Sequence, residues 1–283
     1  MITETAYAKI NFTLSVLGRR PDGYHDLDTV MHSISLSDTV TLEPADAISL
    51  TVDGAAPAGP ENLMWKAAAL FFQVTGKKGG CAMHLAKRIP SEAGMGGGSA
   101  DAAAVLRGLN GMTGAGLSLD TLCRMGGALG ADIPFCVMGG AARCTGIGDK
   151  LAPLPPWEGL PLLIVRPNVS VSTRRAYQEM DKQKIQRKQM SRDAARALEL
   201  RDGARLIRSL SNDFEPVLFE TSPILRETRE ELTESGYPTL MTGSGSAFFV
   251  MVGGADRDVL AKKLRTAHPE WVIELCETVG SGR

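Results

Sequence analysis

PSEAGMGGGSADAA, residues 90–103, is the stretch on which the reading of this chain turns. Four glycines fall within Gly94–Gly98, between an alternating segment at 81–89 and an Ala-rich helical segment at 100–110. Glycine lets backbone approach a ligand closely. A loop running into a helix presents unpaired N–H groups to an anion, and the helix dipole helps. The stretch is not a Walker A loop, because no Gly-Lys-Ser/Thr follows, and it is not GxGxxG, because Ser99 takes the last glycine position. A phosphate loop and a merely flexible loop fit its composition equally well.

Towards the N-terminus, residues 6–16 alternate. Ile10, Phe12, Leu14 and Val16 share one face, and Lys9, Asn11, Thr13 and Ser15 share the other. The pattern predicts a half-buried strand with a cation and an amide pointing the same way. Arg19-Arg20-Pro21-Asp22-Gly23 reads as a turn, followed by Tyr24 and His25. Further strands are expected near 29–36, 39–43 and 48–52, and a helix over 62–75 capped by Asn62.

Towards the C-terminus, Ser118 opens a helix ending near Gly130, and Asp132-Ile133-Pro134 opens another. A strand-like run covers 141–145, and Pro153-Leu154-Pro155-Pro156 marks a boundary. Beyond it the pattern is strand (161–166), helix (172–180), a polar basic stretch (181–205), helices (213–220 and 223–235), strand (239–242), a glycine turn, strand (247–252), helix (255–266) and strand (271–278). Helices alternating with a few strands predict an α+β layer of the ferredoxin-like kind. The stretch 181–205, with interleaved acids, reads as a solvated helical face.

Five features could carry chemistry. The glycine loop could hold phosphates. Asp132 is placed to cap the helix that follows it, and a second, compatible role is to orient an acceptor hydroxyl and take its proton. Lys9 is either a solvated strand lysine or a cation that keeps Asp132 ionised and offsets phosphate charge. Gly23-Tyr24-His25 is a surface turn or a platform that stacks on a heterocycle. Thr242-Gly243-Ser244-Gly245-Ser246 is a hairpin turn or a second loop closing over the ligand.

The 283 residues exceed one small core, so two domains are expected. A net charge of −1, from 31 basic and 32 acidic residues, argues against a nucleic-acid partner. The N-terminus lacks a basic flank and an apolar run, and no stretch approaches the ~20 apolar residues of a membrane span. The expected location is the cytoplasm. Five scattered cysteines without CxxC spacing predict reduced thiols rather than disulfides or a zinc site.

In order along the chain, AYAKIN (6–11), PSEAGMGGGSADAA (90–103) and MTGSGSAFF (241–249) resemble the three signatures of the GHMP kinase superfamily. GRRPDGYH (18–25), GGGSADAA (96–103), GADIPF (130–135) and SNDFE (211–215) resemble the branch whose acceptor is a cytidyl-diphosphate-linked methylerythritol of the non-mevalonate isoprenoid pathway. The resemblance implies an α+β two-domain fold. A ribosomal-S5-like ATP-binding domain would cover 1–155 and a ferredoxin-like substrate domain 156–283. It implies ATP as phosphoryl donor, Mg2+ on the nucleotide, and transfer to the 2-hydroxyl of the methylerythritol moiety. Lys9 and Asp132 match the catalytic pair. Pro90, Ser91, Glu92, Ala93, Gly94, Met95, Gly96, Gly97, Gly98, Ser99 and Ala100 match the ATP segment. Asn11, Tyr24 and His25 match the cytidyl region, Tyr177 matches an aromatic that stacks on cytosine, and Gly243, Ser244 and Gly245 belong to the second loop. No protein metal ligand is assigned. The chain departs from the pattern at Tyr7, Met95 and Ala100, where proline, leucine and serine are usual. Glu92 adds an acid beside the phosphate loop.

Overall fold

The computed structural model describes residues 1–183 and 189–281. Its first sheet grows from a long hairpin. Strand β1 (Ile2–Arg19) and strand β2 (His25–Ala45) run antiparallel. The turn between them is closed by Arg20 N donating to Tyr24 O at 2.7 Å. Where the sequence predicts separate strands near 29–36 and 39–43, the structure has one continuous strand, because neither glycine nor proline interrupts 36–39. Its two halves serve different neighbours. Leu27–His32 pair with β5 (Ala141–Gly146), and Thr39–Ala45 pair with β4 (Gly80–Ala86).

Strand β3 (Ser49–Asp53) lies parallel to β4, and β6 (Lys150–Leu154) pairs with β5. Strand β6 overlaps the Pro-rich run read as a boundary. Its Pro153 costs no ladder bond there, because β6 pairs on one side only.

Helices α1 (Leu63–Thr75), α2 (Gly97–Thr113), α3 (Leu119–Gly127) and α4 (Ile133–Met138) pack their apolar sides together with Val40, Leu42, Met83 and Leu85 of the sheet. Asn62 caps α1 as its sequence predicts, accepting from Met64 N at 2.8 Å. Helix α2 begins three residues before the expected start at Ala100, so Gly97 and Gly98 form its first turn.

The second sheet holds β7 (Pro161–Arg166), β9 (Thr239–Met241), β10 (Phe248–Met251) and β11 (Val272–Glu277), in the order β11-β7-β10-β9 and antiparallel throughout. Fourth, first, third, second is the ferredoxin-like order, with α10 (Gly254–Ala267) joining the last two strands. Between β7 and β9 run α5 (Thr173–Met180), α6 (Ser191–Leu200), α7 (Gly203–Ser209), the two-residue β8 (Ser211–Asn212), α8 (Phe214–Thr221) and α9 (Pro223–Glu234).

Two expectations change at the junction of the sheets. Strand β1 is buried on both faces rather than one, from Ala8 to Val16. Ala8, Ile10 and Phe12 pack with Leu162, Ile164 and Phe249 of the second sheet, while Lys9 and Asn11 face a cavity. The segment 181–205 is not simply a solvated helical face. Ala194, Ala197 and Leu198 of α6 are buried in the same cluster, and the Ser191 hydroxyl donates to Asp28 O at 3.0 Å. The part of this segment at 184–188 lies outside the described residues.

Candidate active site

A cavity of about 860 Å3 opens where the two sheets meet. Its wall brings together Lys9 and Asn11 from β1, Tyr24 and His25 from the hairpin, residues 90–99, Asp132, Tyr177 from α5, and Gly243 and Ser244. Of the residues that the family resemblance assigns to the site, two do not line it. Ala100 is buried in the helical core, and Gly245 packs behind the loop, where a Cβ would stand 2.8 Å from Met241 Sδ.

Lys9 is buried, and an unpaired buried ammonium is costly. Its Nζ donates to Asn11 Oδ1 at 2.7 Å and stands 3.8 Å from Asp132 Oδ2. Asn11 is held in turn. Its Nδ2 donates to Thr29 Oγ1 at 2.8 Å, its backbone N donates to Thr242 Oγ1 at 3.0 Å, and its Oδ1 accepts from the Thr242 hydroxyl at 3.3 Å. Asp132 is the residue before α4, yet its side chain makes no capping hydrogen bond. The carboxylate turns towards Lys9 and the cavity, so the capping role that its sequence position predicts is not the one it takes.

The glycine loop runs between this pair and the second sheet. Gly96 opens α2 with φ +67, and a Cβ there would lie 3.2 Å from Lys9 Cγ and 3.7 Å from Asp132 Oδ2. The first-turn amides of α2 therefore begin directly over the Lys9–Asp132 pair. At Gly97 the missing side chain faces inward, 2.9 Å from Ile89 Cγ2 and 3.0 Å from Lys87 Nζ. On the opposite flank the two glycine loops interlock. A Cβ at Gly94 would stand 2.2 Å from Thr242 O, and one at Gly243 would stand 2.6 Å from Gly94 O.

The far end of the cavity is aromatic. His25 stacks on Tyr177 with ring centroids 4.6 Å apart, and Tyr177 meets Phe214 edge-on at 5.0 Å. His25 Nε2 lies 2.7 Å from Asp181 Oδ1, and Arg19 reaches the other carboxylate oxygen at 3.7 Å. Burial pushes the Tyr177 hydroxyl far up from its ordinary pKa, with the Asp132 charge adding to the effect, so it stays protonated. Tyr24 stands out from the turn, 60% exposed, on the cavity rim.

Sequence reading missed several participants. Asp181 and Thr29 carry no local signal, since each matters only through a partner more than a hundred residues away or across a strand pair. Lys87 is another. Its Nζ bridges Asp38 at 2.5 Å and Asp101 at 2.7 Å beneath the first turn of α2. Burial, with the neighbouring Asp38, pushes the Asp101 carboxyl up against the pull of Lys87. All five cysteines are free thiols, four of them buried.

The sequence profile described as GHMP kinases N terminal domain matches residues 62–140, and that described as GHMP kinases C terminal matches residues 194–270. A 4-diphosphocytidyl-2-C-methyl-D-erythritol kinase of Pelotomaculum thermopropionicum is 41% identical over 94% of this chain and 95% of its own length. Its counterpart in Moorella thermoacetica is also 41% identical, over 96% of this chain and 98% of its own. A crystal structure of 4-(cytidine 5'-diphospho)-2C-methyl-D-erythritol kinase superposes with a TM-score of 0.81 at 33% identity, covering 99% of this chain and all of the other. The mevalonate kinase of Methanococcus jannaschii has the same fold, with a TM-score of 0.72 at 14% identity over 99% of this chain and 98% of its own.

Proposed function

The chain belongs to the GHMP kinase family, and from that premise we propose that its cavity carries the γ-phosphoryl group of ATP to the 2-hydroxyl of 4-diphosphocytidyl-2-C-methyl-D-erythritol. The protein is a small-molecule kinase with an alcohol acceptor, and its step belongs to non-mevalonate isoprenoid precursor synthesis. The observation that carries this reading is one cavity with Lys9 and Asp132 beside the first turn of α2 at one end and His25, Tyr24 and Tyr177 at the other. The first end suits phosphates and a reacting hydroxyl. The second offers flat rings and hydrogen-bonding groups for a nucleobase.

Phosphoryl transfer asks the protein mainly for position and charge. In the proposed step the acceptor oxygen forms a bond to the γ-phosphorus while the bond from that phosphorus to the β,γ-bridging oxygen breaks, leaving ADP. The acceptor proton passes to Asp132, late in the step because an alkyl hydroxyl is weakly acidic. Lys9, held by Asn11, pairs with Asp132 and faces the charge gathering on the transferred group. Residues 90–98 and the Ser99 hydroxyl wrap the triphosphate, and the first-turn amides of α2 point at it. Asp181 fixes the His25 ring so that the imidazole meets the base in one orientation.

Magnesium fits this wall. Ser99 and Asp132 offer oxygen donors on the cavity side, and Mg2+ usually takes one or two protein oxygens beside the phosphates and water. When bound, it would neutralise the phosphate charge. No helix among the described residues is long and apolar enough to cross a membrane, and we place the enzyme in the cytoplasm with its small-molecule substrates.

The test is ADP release in a coupled assay with Mg-ATP and, in parallel, the cytidyl-diphosphate alcohol, homoserine and mevalonate. Turnover with the cytidyl substrate alone is expected. Turnover with another alcohol and not with it would overturn the substrate assignment.

A further inference from the structure

Of the SNDFE segment at 211–215 only Phe214 lines the cavity described above, yet Asn212 is tied to its wall as well. Asn212 is buried in β8, where it pairs in parallel with Leu14 of β1. Every hydrogen-bonding group of its side-chain amide is used. Nδ2 donates to Met241 O at 2.7 Å and to Gly243 O at 2.9 Å, and Oδ1 accepts from Phe214 N at 3.0 Å. A flipped amide would set its oxygen against two carbonyl oxygens, so the orientation is unique. The next residue locks the anchor, since Asp213 N donates to Leu14 O and Asp213 Oδ2 accepts from Val16 N, each at 2.9 Å.

Asn212 therefore grips the second glycine loop from the first sheet. Carbonyl and N–H of one trans peptide point in opposite directions. Holding Gly243 O back towards Asn212 turns the Ser244 N–H the other way, on the stretch where Gly243 and Ser244 line the cavity. The Ser244 hydroxyl is itself engaged with Thr173 Oγ1 at 3.0 Å, which fixes the same peptide from the α5 side.

We propose that Asn212 is a positioning residue for phosphoryl transfer, orienting the Gly243–Ser244 peptide so that its N–H meets the transferred phosphoryl group. The inference rests on the kinase reading above. Its role is exerted on the reacting group and not on ATP as a whole, because residues 90–99 and the start of α2 hold the rest of the nucleotide.

The test compares wild type with Asn212→Asp and Asn212→Ser, using steady-state kinetics with both substrates, equilibrium binding of ADP and a thermal melt. Asn212→Asp keeps the shape but sets a carboxylate oxygen against two carbonyls. Asn212→Ser is too short to reach both. With the protein folded, kcat is expected to fall by roughly 10- to 100-fold while ADP affinity stays within about threefold, since one oriented donor is lost from the transition state. Unchanged kcat overturns the proposal. So does a loss of kcat and ADP affinity in step with a lower melting temperature, which marks a structural tie only. If neither variant folds, wild-type 15N-labelled protein decides. The Ser244 amide proton moves downfield on adding a non-hydrolysable ATP analogue with the acceptor, and an unmoved resonance overturns the proposal. Wild-type protein inactive on every alcohol would instead defeat the kinase reading itself.

Discussion

Gly94→Ala puts the interlock of the two glycine loops to a direct test. A Cβ at Gly94 would sit 2.2 Å from Thr242 O and 3.1 Å from both N and O of Gly245, at φ +75. All three neighbours are backbone, so no side chain can swing aside. Restoring an ordinary contact of 3.4 Å requires the loops to part by about 1 Å. The left-handed backbone adds about 1–2 kcal/mol for a residue with a Cβ, and the crowding adds about 1–3 kcal/mol. The expected loss of stability is therefore about 2–5 kcal/mol. A misplacement near 1 Å costs on the order of 10²-fold in rate, so kcat should fall by about that factor. Urea unfolding gives the first quantity, and steady-state ADP release at saturating substrates gives the second. Gly243→Ala meets the same contact from the other side, with its Cβ 2.6 Å from Gly94 O, and the double variant should be less damaged than the sum of the two. A Gly94→Ala enzyme with kcat within about threefold of wild type and an unshifted urea midpoint would refute the interlock as the device that sets the cavity's geometry.

Asp132→Asn should lower kcat by roughly 10²–10⁴-fold with little change in KM for ATP, read in the same coupled assay, and full turnover would remove the base role. Asp181→Ala frees His25 and should raise KM for the cytidyl acceptor roughly tenfold while KM for ATP holds, so equal effects on both substrates would count against its placement at the base end. Acid should weaken the fold through His32, a buried ring whose Nδ1 donates to Ser33 O at 2.9 Å and whose Nε2 accepts from Trp157 N at 3.1 Å. Burial pulls its pKa from 6.5 down to about 4, so the unfolded chain takes the proton first. The stability it protects is whole above pH 6.5 and is lost as pH falls towards 4, about 3 kcal/mol in all. Asp101 and Glu215, both raised by burial, work in the opposite direction. The measurement is therefore the difference in denaturation midpoint against pH between wild type and His32→Gln, and parallel curves would refute the assignment.

Local pattern and composition determined a good deal of this protein. The alternation of 6–16, the turn at 19–23, the Asn62 cap and the glycine loop running into a helix are all short-range events. Each is governed by residues a few positions apart and appears where the sequence places it, save that α2 starts three residues early, at Gly97. The ferredoxin-like reading of the second half also holds, because its strands alternate with long amphipathic helices. Motif order along the chain pointed to the kinase family.

Tertiary structure decided what those elements face. The polar side of β1 reads as a solvent face, yet Lys9 and Asn11 are buried there because Asp132, the glycine loop at Gly96, Thr29 and Thr242 close around them. That burial turns Lys9 from a surface cation into a partner for Asn11 and Asp132. Asp132 reads as a cap from its neighbours alone, and it is the approach of β1 that draws its carboxylate away from α4. Asn212 and Asp181 gain their roles from hydrogen bonds to residues distant in sequence, Met241 and Gly243 for the one and His25 for the other. Propensity and periodicity act over one turn of helix or one strand, whereas a buried charge or amide is satisfied by whatever the fold brings alongside it.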